Sequence, residues 1–423
     1  ILTMLYLLHS NPYDVSTGAM NEAAFHVVIK EAYEKKQKLF FLCLQMHNPS
    51  VYENVSSEVR MEIFHFFTGV VKKSVLCKLE NGNLVLVFSE KYNPDPEKCI
   101  RRLCEEFDKL YEKFHAEYRV IIMESEESLS RDDSYKKFFR FLMKRIVPNT
   151  YHHVNAKDLE AFYTRQTILA ELEDISEKRD LFDERVLVYC QPVFNVKNGC
   201  YDTAEALMRL NLLKLGTVPP GAFIDLAEEY DLIHPLSMII LNKTCYLIRR
   251  FLDEGYKLHR ISVNFSIQEV HDPDFCKDII EVVKKHGIPF EKIAIELTES
   301  RNESEFELVK NHINELKEFG MKFYLDDFGT GYSNFERIME LPFDIIKFDR
   351  SLVIEAGKDQ NSAYMVETFA NMFRRLEYRV LYEGVETEDD EKRCIDMCAQ
   401  YLQGFKYSKP IRIEELSGFL SHA

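Results

Sequence analysis

The chain has 423 residues, of which 46% are hydrophobic and 29% are charged, and its formal net charge is −16. This is longer than a chain with a single hydrophobic core usually is, so two domains are expected. The composition is typical of a folded rather than a disordered chain. The acidic balance argues against a nucleic-acid scaffold, which would need a basic face.

The first 150 residues alternate between helical and strand patterns. The hydrophobic spacing predicts, in chain order, a helix over 21–38, a strand over 39–46, a helix over 58–73, strands over 75–79 and 84–89, a helix over 96–114 and a strand over 118–123. The turn Glu80-Asn81-Gly82-Asn83 contains the Asn-Gly pair that favours a hairpin. These elements predict an α+β sandwich domain over residues 1–157. The charged helical pattern over about 155–185 indicates either a connector between the domains or the first helix of the next one.

The second half repeats short apolar strands, and we expect each to be followed by a helical segment. The predicted strands are 186–194, 203–210, 260–265, 292–297, 321–327, 343–348, 378–385 and 401–405. Eight strands interleaved with helices predict a (β/α)₈ barrel over residues 158–423. An open doubly wound sheet is the alternative, but no glycine-rich phosphate loop follows the first strand.

The cysteines and the hydropathy bear on the cell compartment. The ten cysteines are scattered and indicate reduced thiols used as small hydrophobes. The sequence contains no run of about 18 apolar residues, so it predicts no membrane span. The chain starts at Ile1 rather than Met, which is typical of a piece of a longer protein. We expect a cytoplasmic location, either as a free protein or as the cytoplasmic part of a membrane-anchored sensor.

Polar side chains recur within or at the ends of seven of the predicted barrel strands, from the second to the eighth. They are Glu205, Asn264, Glu296, Glu299, Asp326, Asp327, Lys347, Glu383, Glu386 and Gln403. In a closed barrel the carboxyl ends of parallel strands converge on one mouth, where catalytic groups of this fold gather. Residues far apart in sequence are therefore expected to lie close together.

The types of these side chains indicate a metal site. Several carboxylates in one pit repel each other, and bound divalent cations would offset that repulsion. Oxygen ligands without thiolate or imidazole favour Mg²⁺ or Mn²⁺, and a pair of ions suits attack on a phosphodiester. Taken singly, a residue such as Glu299 is usually explained as a helix cap, and Glu386 as a charge at a helix start that complements the dipole. Arg209 is a candidate phosphate clamp if the strand pleat brings it to the same side as Glu205.

From about residue 160 onward, ordered motifs make the chain resemble the EAL family of cyclic di-GMP phosphodiesterases. They are Q-P-V from Gln191, E-A-L-M-R from Glu205, S-V-N-F-S around Asn264, E-L-T-E-S from Glu296, D-D-F-G-T-G-Y-S from Asp326, I-K-F-D-R around Lys347, Y-E-G-V-E from Tyr382 and Q-G-F-K-Y-S-K-P from Gln403. Two positions depart from the pattern. Leu210 stands where an aromatic residue is common, and Tyr382 stands where a small residue is usual.

The resemblance implies a barrel whose first strand runs antiparallel to the others, and a role for each motif residue. Two metal ions would be held by Glu205, Asn264, Glu296, Asp326, Asp327 and Glu383. Lys347 would assist the attacking water, and Glu299 would anchor the loop 328–333, which couples the site to a dimer interface. Gln191 and Arg209 would contact the substrate, and Gln403 would support the water and the metal shell. The implied product is linear pGpG.

The N-terminal domain is similar to GGDEF diguanylate cyclases, but with its functional residues replaced. Asp14-Val15-Ser16-Thr17-Gly18 matches the D-x-x-T-G opening of that family. The signature hairpin reads Glu80-Asn81-Gly82-Asn83-Leu84 and lacks both acids, Gln45 and His47 replace the metal-binding acids of the first strand, and Val71 and Ser74 replace the inhibitory R-x-x-D pair. The resemblance therefore implies a degenerate domain that does not synthesise cyclic di-GMP and is regulatory.

Three functional hypotheses follow. The first is metal-dependent hydrolysis of cyclic di-GMP by a cytoplasmic enzyme that forms a homodimer through its barrel domain. The second is a catalytically inactive receptor or scaffold that binds cyclic di-GMP without cleaving it; such proteins usually lack metal ligands, and none is missing here. The third is a metal hydrolase of another phosphodiester, such as a linear dinucleotide or a different cyclic one.

Overall fold

The computed structural model describes residues 12–14, 18–47, 65–66, 69–111, 117–130, 133–298, 306–330 and 335–422. Contacts divide the chain into two compact units, residues 1–164 and residues 165–423. The division falls within one long helix, close to the predicted boundary after residue 157, and the boundary itself stays a prediction.

The N-terminal unit is built on one five-stranded sheet. Its elements are helices α1 (Glu22–Glu34), α2 (Pro96–Tyr111), α3 (Ser134–Met143) and α4 (Ala156–Lys178), the last shared with the second unit, and strands β1 (Leu39–His47), β2 (Val75–Lys78), β3 (Leu84–Ser89), β4 (Glu117–Glu124) and β5 (Thr150–His153). The strand order is β2-β3-β1-β4-β5, with β5 parallel to β4 and the other pairs antiparallel.

Alternation along β1 gives this sheet two apolar faces. Phe41 and Cys43 belong to a core with α1 and α3, whereas Phe40 and Leu42 belong to a core with α2. The predicted hairpin is present, since Val75–Lys78 pairs with Leu84–Val87. The predicted helix over 58–73 lies mostly outside the described residues, and α3 and β5 were not predicted.

The C-terminal unit contains the remaining elements. The helices are the rest of α4, α5 (Ile224–Glu229), α6 (Ile233–Asp253), α7 (Ile267–Val270), α8 (Phe275–His286), α9 (Phe306–Glu318), α10 (Phe335–Glu340), α11 (Arg350–Ala356), α12 (Gln360–Arg375) and α13 (Glu388–Asp396). The strands are β6 (Val186–Asn195), β7 (Cys200–Leu212), β8 (Gly216–Val218), β9 (Arg260–Phe265), β10 (Ile293–Thr298), β11 (Lys322–Phe328), β12 (Ile345–Phe348), β13 (Arg379–Tyr382), β14 (Tyr401–Leu402) and β15 (Ile411–Arg412).

Eight of these strands close into a barrel in the order β6-β14-β13-β12-β11-β10-β9-β7, and β6 pairs again with β7 to complete the ring. The expected barrel is thus confirmed, and so is the antiparallel first strand, because β6 is antiparallel to both β7 and β14. The expectation of a helix after every strand is wrong for the first one. A short turn joins β6 directly to β7, since an antiparallel neighbour needs no crossover.

A layer of side chains fills the barrel below its mouth. Val193, Ala294, Tyr324, Ile345, Leu381 and Tyr401 form a separate buried cluster inside the ring. Two arginines support it from the closed end: buried Arg260 donates to the hydroxyl of Tyr324 at 3.1 Å, and exposed Arg379 donates to that of Tyr401 at 3.0 Å. The barrel is therefore a packed core rather than a pore.

All ten cysteines are free thiols, as expected. Within the described ranges, no helix combines the length and the apolar character that crossing a membrane would require.

Candidate active site at the barrel mouth

Each of the eight barrel strands contributes one polar residue to a single layer at the mouth. They are Gln191, Glu205, Asn264, Glu296, Asp326, Lys347, Glu383 and Gln403. On five parallel strands this residue stands two positions after a member of the buried cluster, as Glu296 follows Ala294, whereas on antiparallel β6 Gln191 stands two positions before Val193. Because side chains alternate along a strand, residues two apart face the same way, so the whole layer points into the ring.

Lys347 is the centre of this layer. Its ammonium Nζ lies 2.6 Å from Glu296 Oε2, 2.8 Å from Asp326 Oδ1, 2.8 Å from Glu383 Oε1 and 3.3 Å from Glu205 Oε2. The side chains of Lys347 and Glu296 are each only 1% exposed. One buried cation therefore faces four carboxylates that come from four different strands.

Amide groups fix the carboxylate of Glu205. Asn264 donates its Nδ2 hydrogen to Oε1 at 2.9 Å, and Gln403 donates from Nε2 to Oε2 at 2.7 Å. Gln403 Nε2 also lies 3.1 Å from Gln191 Oε1, and Gln191 donates in turn to the carbonyl of Ser408 at 2.9 Å. The side-chain amide of Asn264 therefore directs its nitrogen toward Glu205, so its oxygen lies on the opposite side of the amide group.

The close approach of two strand ends places Gln403 beside Glu383. A Cβ atom added to Gly404 would lie 2.1 Å from the carbonyl oxygen of Val385, so only glycine fits there. The backbone amide of Val385 donates to the carbonyl of Gln403 at 3.0 Å. The glycine of the Q-G motif therefore allows the backbones of Gly404 and Val385 to lie this close together at the mouth.

A bulge in β11 presents two successive aspartates. The pairing of β11 with β12 shifts between Leu325 and Phe328, and Asp327 has a φ of 54°, in the left-handed region. Successive side chains of a regular strand would point to opposite faces, whereas a bulge re-aims one of them. Carboxylate oxygens of Asp326, Asp327 and Glu383 consequently come within 4.8 Å of one another.

The ionisation of the cluster reflects burial and crowding. Burial, the charge of Asp326 and that of Glu205 raise the pKa of Glu383 to about 8 against the attraction of Lys347. Burial, then the charge of Glu205, also raises the pKa of Glu296 well above its ordinary value, and burial with Asp326 raises the pKa of Asp327.

Two members of the cluster shift toward their charged forms. Burial alone would raise the pKa of Glu205, but Lys347 and the amides of Gln403 and Asn264 lower it overall. Burial alone would lower the pKa of Lys347, yet the surrounding carboxylates raise it well above its usual range, so the lysine stays charged.

The cluster is undercompensated and can hold a metal ion. Five carboxylates, those of Glu205, Glu296, Asp326, Asp327 and Glu383, share one ammonium. Asp326 Oδ1 is buried and lies outside hydrogen-bonding geometry despite its proximity to Lys347, and the buried Gln403 Oε1 has no donor. Oxygens of Glu205, Glu296 and Asp326 lie within 4.8 Å of each other, so a hard divalent cation fits the donor set.

Three further positions singled out from the sequence are Arg209, Tyr382 and Glu299. Arg209 is half-buried near Glu205, but its guanidinium donates to the carbonyl of Met208 and lies 5.6 Å from the centre of the Tyr189 ring. Tyr382 points away from the mouth, because its hydroxyl donates to the carbonyl of Met397 and its ring packs 5.0 Å from that of Phe348. Its bulk therefore does not enter the site. Glu299 lies outside the described residues.

One supporting residue was missed by the sequence reasoning. Ser408 holds Gln191 through its backbone carbonyl, a contact between positions 217 apart that a sequence pattern does not reveal.

The family model described as the EAL domain matches residues 175–410. The chain is 30% identical over 238 residues to the signaling protein YkoW of Bacillus subtilis, covering 56% of this chain and 30% of YkoW. It is 28% identical over 266 residues to the cyclic di-GMP phosphodiesterase PdeL of Escherichia coli, covering 62% of this chain and 70% of PdeL.

Among solved structures, the PaMucR phosphodiesterase in complex with c-di-GMP aligns with a TM-score of 0.54 and 28% identity, covering 59% of this chain and 99% of that one. The chain spans only about a third of the length of YkoW and of the Pseudomonas aeruginosa protein MucR.

Proposed function

The chain belongs to the EAL domain family, and from this premise we propose that its barrel domain hydrolyses cyclic di-GMP to linear pGpG with two Mg²⁺ or Mn²⁺ ions as cofactors. The observation that carries the proposal is the layer of eight polar side chains, in which four carboxylates surround Lys347. The relatives support the choice of substrate, since PdeL is a cyclic di-GMP phosphodiesterase and PaMucR was solved with this dinucleotide.

The ligand set follows from the donor atoms. Glu205, Asn264, Glu296, Asp326, Asp327 and Glu383 would hold the ions, and the two overlapping groups of carboxylates share Asp326. When bound, such ions supply Lewis acidity and neutralise the charge that develops on a phosphodiester. Oxygen donors without thiolate or imidazole favour Mg²⁺ or Mn²⁺ over zinc.

The chain's own residues set the charge of the mouth, the orientation of the Glu205 carboxylate and the protonation of the cluster. Lys347 keeps its proton and partly offsets the negative charge of the carboxylates at the bottom of the mouth, and its proposed role is to assist the attacking water. Asn264 and Gln403 prevent rotation of the Glu205 carboxylate, so its oxygens need no reorganisation during the reaction. Glu383 has a pKa of about 8 without bound metal, so it would lose its proton when it binds an ion near neutral pH.

The reaction adds one water molecule and opens one of the two phosphodiester bonds of the ring. A new P–O bond forms to the water oxygen, the P–O bond to the ribose breaks, and the ribose oxygen takes up a proton. Arg209 and Gln191 are the proposed contacts to the substrate, and Arg209 would have to exchange its bond to the Met208 carbonyl for a phosphate oxygen. Glu299 keeps its proposed role as the anchor of loop 328–333.

Chromatography of nucleotides tests this function. We expect the purified chain with Mn²⁺ or Mg²⁺ to convert cyclic di-GMP to pGpG, and chelation to stop the reaction. Tight calorimetric binding with unchanged nucleotide after long incubation would instead indicate a receptor. Competition among cyclic and linear dinucleotides distinguishes cyclic di-GMP from another phosphodiester substrate.

We also propose a regulatory role for the N-terminal unit and a homodimer through the barrel domain. The turn Glu80–Asn83 lacks the acids that the cyclase-like resemblance requires, which supports regulation rather than synthesis. The family match begins at residue 175, so the cyclase-like identity of this unit stays a prediction.

A further inference from the structure

A histidine at the start of α6 lies between two acids of other helices. His234 Nδ1 is 3.3 Å from Glu269 Oε1 on α7, and His234 Nε2 is 3.3 Å from Asp278 Oδ2 on α8. Glu269 is almost completely buried, with 4% of its surface exposed. The ring therefore joins the first turns of three helices.

Both contacts can be hydrogen bonds to ionised carboxylates only if the ring is protonated. A neutral imidazole has one N–H and one lone pair, so it could donate to only one of the two carboxylates; the imidazolium can donate to both. The dipole of α6 disfavours a cation near the N-terminus of this helix. The positive charge of the His234 ring is therefore stabilised by the two acids and not by the helix. The hydrogen bond to Glu269 raises the pKa of His234 despite its partial burial, and Asp278 acts in the same direction.

Other acids lie near the group formed by His234, Glu269 and Asp278, which we call the clamp, and they add to the negative potential around the ring. Glu228 on α5 has a raised pKa because of its burial and the charges of Asp225 and Glu269. The groups that face the ring directly are Glu269 and Asp278. The local field therefore favours the imidazolium.

Glu269 links this histidine to the mouth of the barrel. Its Oε2 accepts from the backbone amide of Ser266 at 2.8 Å, while its own amide donates to Ser266 Oγ at 3.4 Å, which is a capping box. Ser266 stands two residues after Asn264 at the end of β9. The second oxygen of Glu269 faces His234, so one buried carboxylate connects the histidine to the segment that carries Asn264.

We propose that protonated His234 is a positioning residue for Asn264: it holds Glu269, which holds the turn that sets the direction of the Asn264 amide. The role rests on the proposed function, because Asn264 matters there as a metal ligand. Loss of the imidazolium would loosen the turn after β9 without removing any atom of the carboxylate cluster.

Hydrogen exchange in the metal-free full chain tests the clamp independently of catalysis. We expect His234→Gln to speed exchange of peptides covering 264–271 at pH 6.5 by about fivefold or more, the effect of a local opening that is about 1 kcal/mol easier. The matched control is His286→Gln, since His286 bonds Asn242 between α8 and α6 at the last turn of α8. Equal exchange of 264–271 in wild type and His234→Gln overturns the proposal.

Mn²⁺ affinity then tests the effect on Asn264. At pH 6.5 we expect His234→Gln to weaken Mn²⁺ binding by about threefold to tenfold, at the low end of what outer-shell changes cost. At a pH high enough to remove the proton from the wild-type ring, the two proteins should differ by less than about twofold. A ratio that does not change with pH overturns the imidazolium clamp.

A second variant keeps the cap but removes the charge. Glu269→Gln can still accept from the Ser266 amide, so the fold is retained, but the histidine loses its main partner. We expect the pH at which exchange of 264–271 increases to move lower than in wild type, and an unchanged midpoint would contradict the role of Glu269. If the exchange results hold but wild type binds no Mn²⁺, the metal site itself is rejected and the role toward Asn264 with it.

Discussion

Glu205→Gln is expected to lower turnover of cyclic di-GMP by at least about 10³-fold, equivalent to about 4 kcal/mol of lost transition-state stabilisation. Glutamine keeps the size of the side chain but removes its charge and replaces one of its two acceptor oxygens with an amide nitrogen. Those oxygens face Asn264 and Gln403 and belong to the group that can hold a cation. Initial rates with saturating Mn²⁺ measure the effect, and Glu205→Ala should behave in the same way.

The control for this variant lies on the same strand. Asp202 stands near the start of β7, at the opposite end from the mouth, where its carboxylate accepts from Asn195 and Asn198. Asp202→Asn should retain turnover within about threefold, as expected of a surface change away from the site. Retention of wild-type turnover by Glu205→Gln would refute the assignment of Glu205 as a metal ligand.

Lys347→Met is expected to lower the free energy of unfolding of the metal-free barrel by about 3–5 kcal/mol, because removing one partner leaves buried charges uncompensated. The variant leaves five carboxylates without the ammonium that four of them contact. The loss should be larger at pH 8 than at pH 5, because Glu383, with a pKa of about 8, is protonated at pH 5.

Urea unfolding with a chelator present, at pH 5 and pH 8, measures this loss. Lys277→Met is the control, since Lys277 pairs with Asp274 in an exposed contact that contributes at most about 1 kcal/mol. Added Mn²⁺ should restore part of the stability of the Lys347 variant. A Lys347→Met barrel that is as stable as wild type at pH 8 would contradict the cluster's electrostatics.

The sequence predicted the architecture of the barrel domain well because its strands are short apolar runs with clear ends. All eight strands were expected within a few residues. The connection between the first two was not, because hydrophobic periodicity reports burial and not strand direction. In the N-terminal unit, β5 carries polar residues such as His152 and His153, so its strand pattern is weak.

The candidate site was foreseen as a set of residues rather than as a geometry. Glu205, Asn264 and Glu296 were expected at one mouth, and the register brings them together. The sequence did not reveal that Asp326 and Asp327 sit on a bulge, nor that Arg209 turns to a backbone carbonyl. These details depend on pairing between strands, which no local pattern encodes.

The clamp behind Asn264 left a local signal that could have been detected. Ser266-Ile267-Gln268-Glu269 has the spacing of a capping box at a helix start. Its partner His234 is 35 positions away from Glu269, and only the packing of helix starts around the barrel brings the two together.

Calorimetric titration of the metal-free chain with Mn²⁺ tests most directly that the carboxylate cluster is a two-cation site. We expect two ions per chain, with more protons released on binding at pH 7 than at pH 9. Glu383, with a pKa of about 8, is mostly protonated at the lower pH and ionised at the higher one. No binding by the wild-type chain, or equal binding by wild type and Glu205→Gln, would contradict the two-cation site.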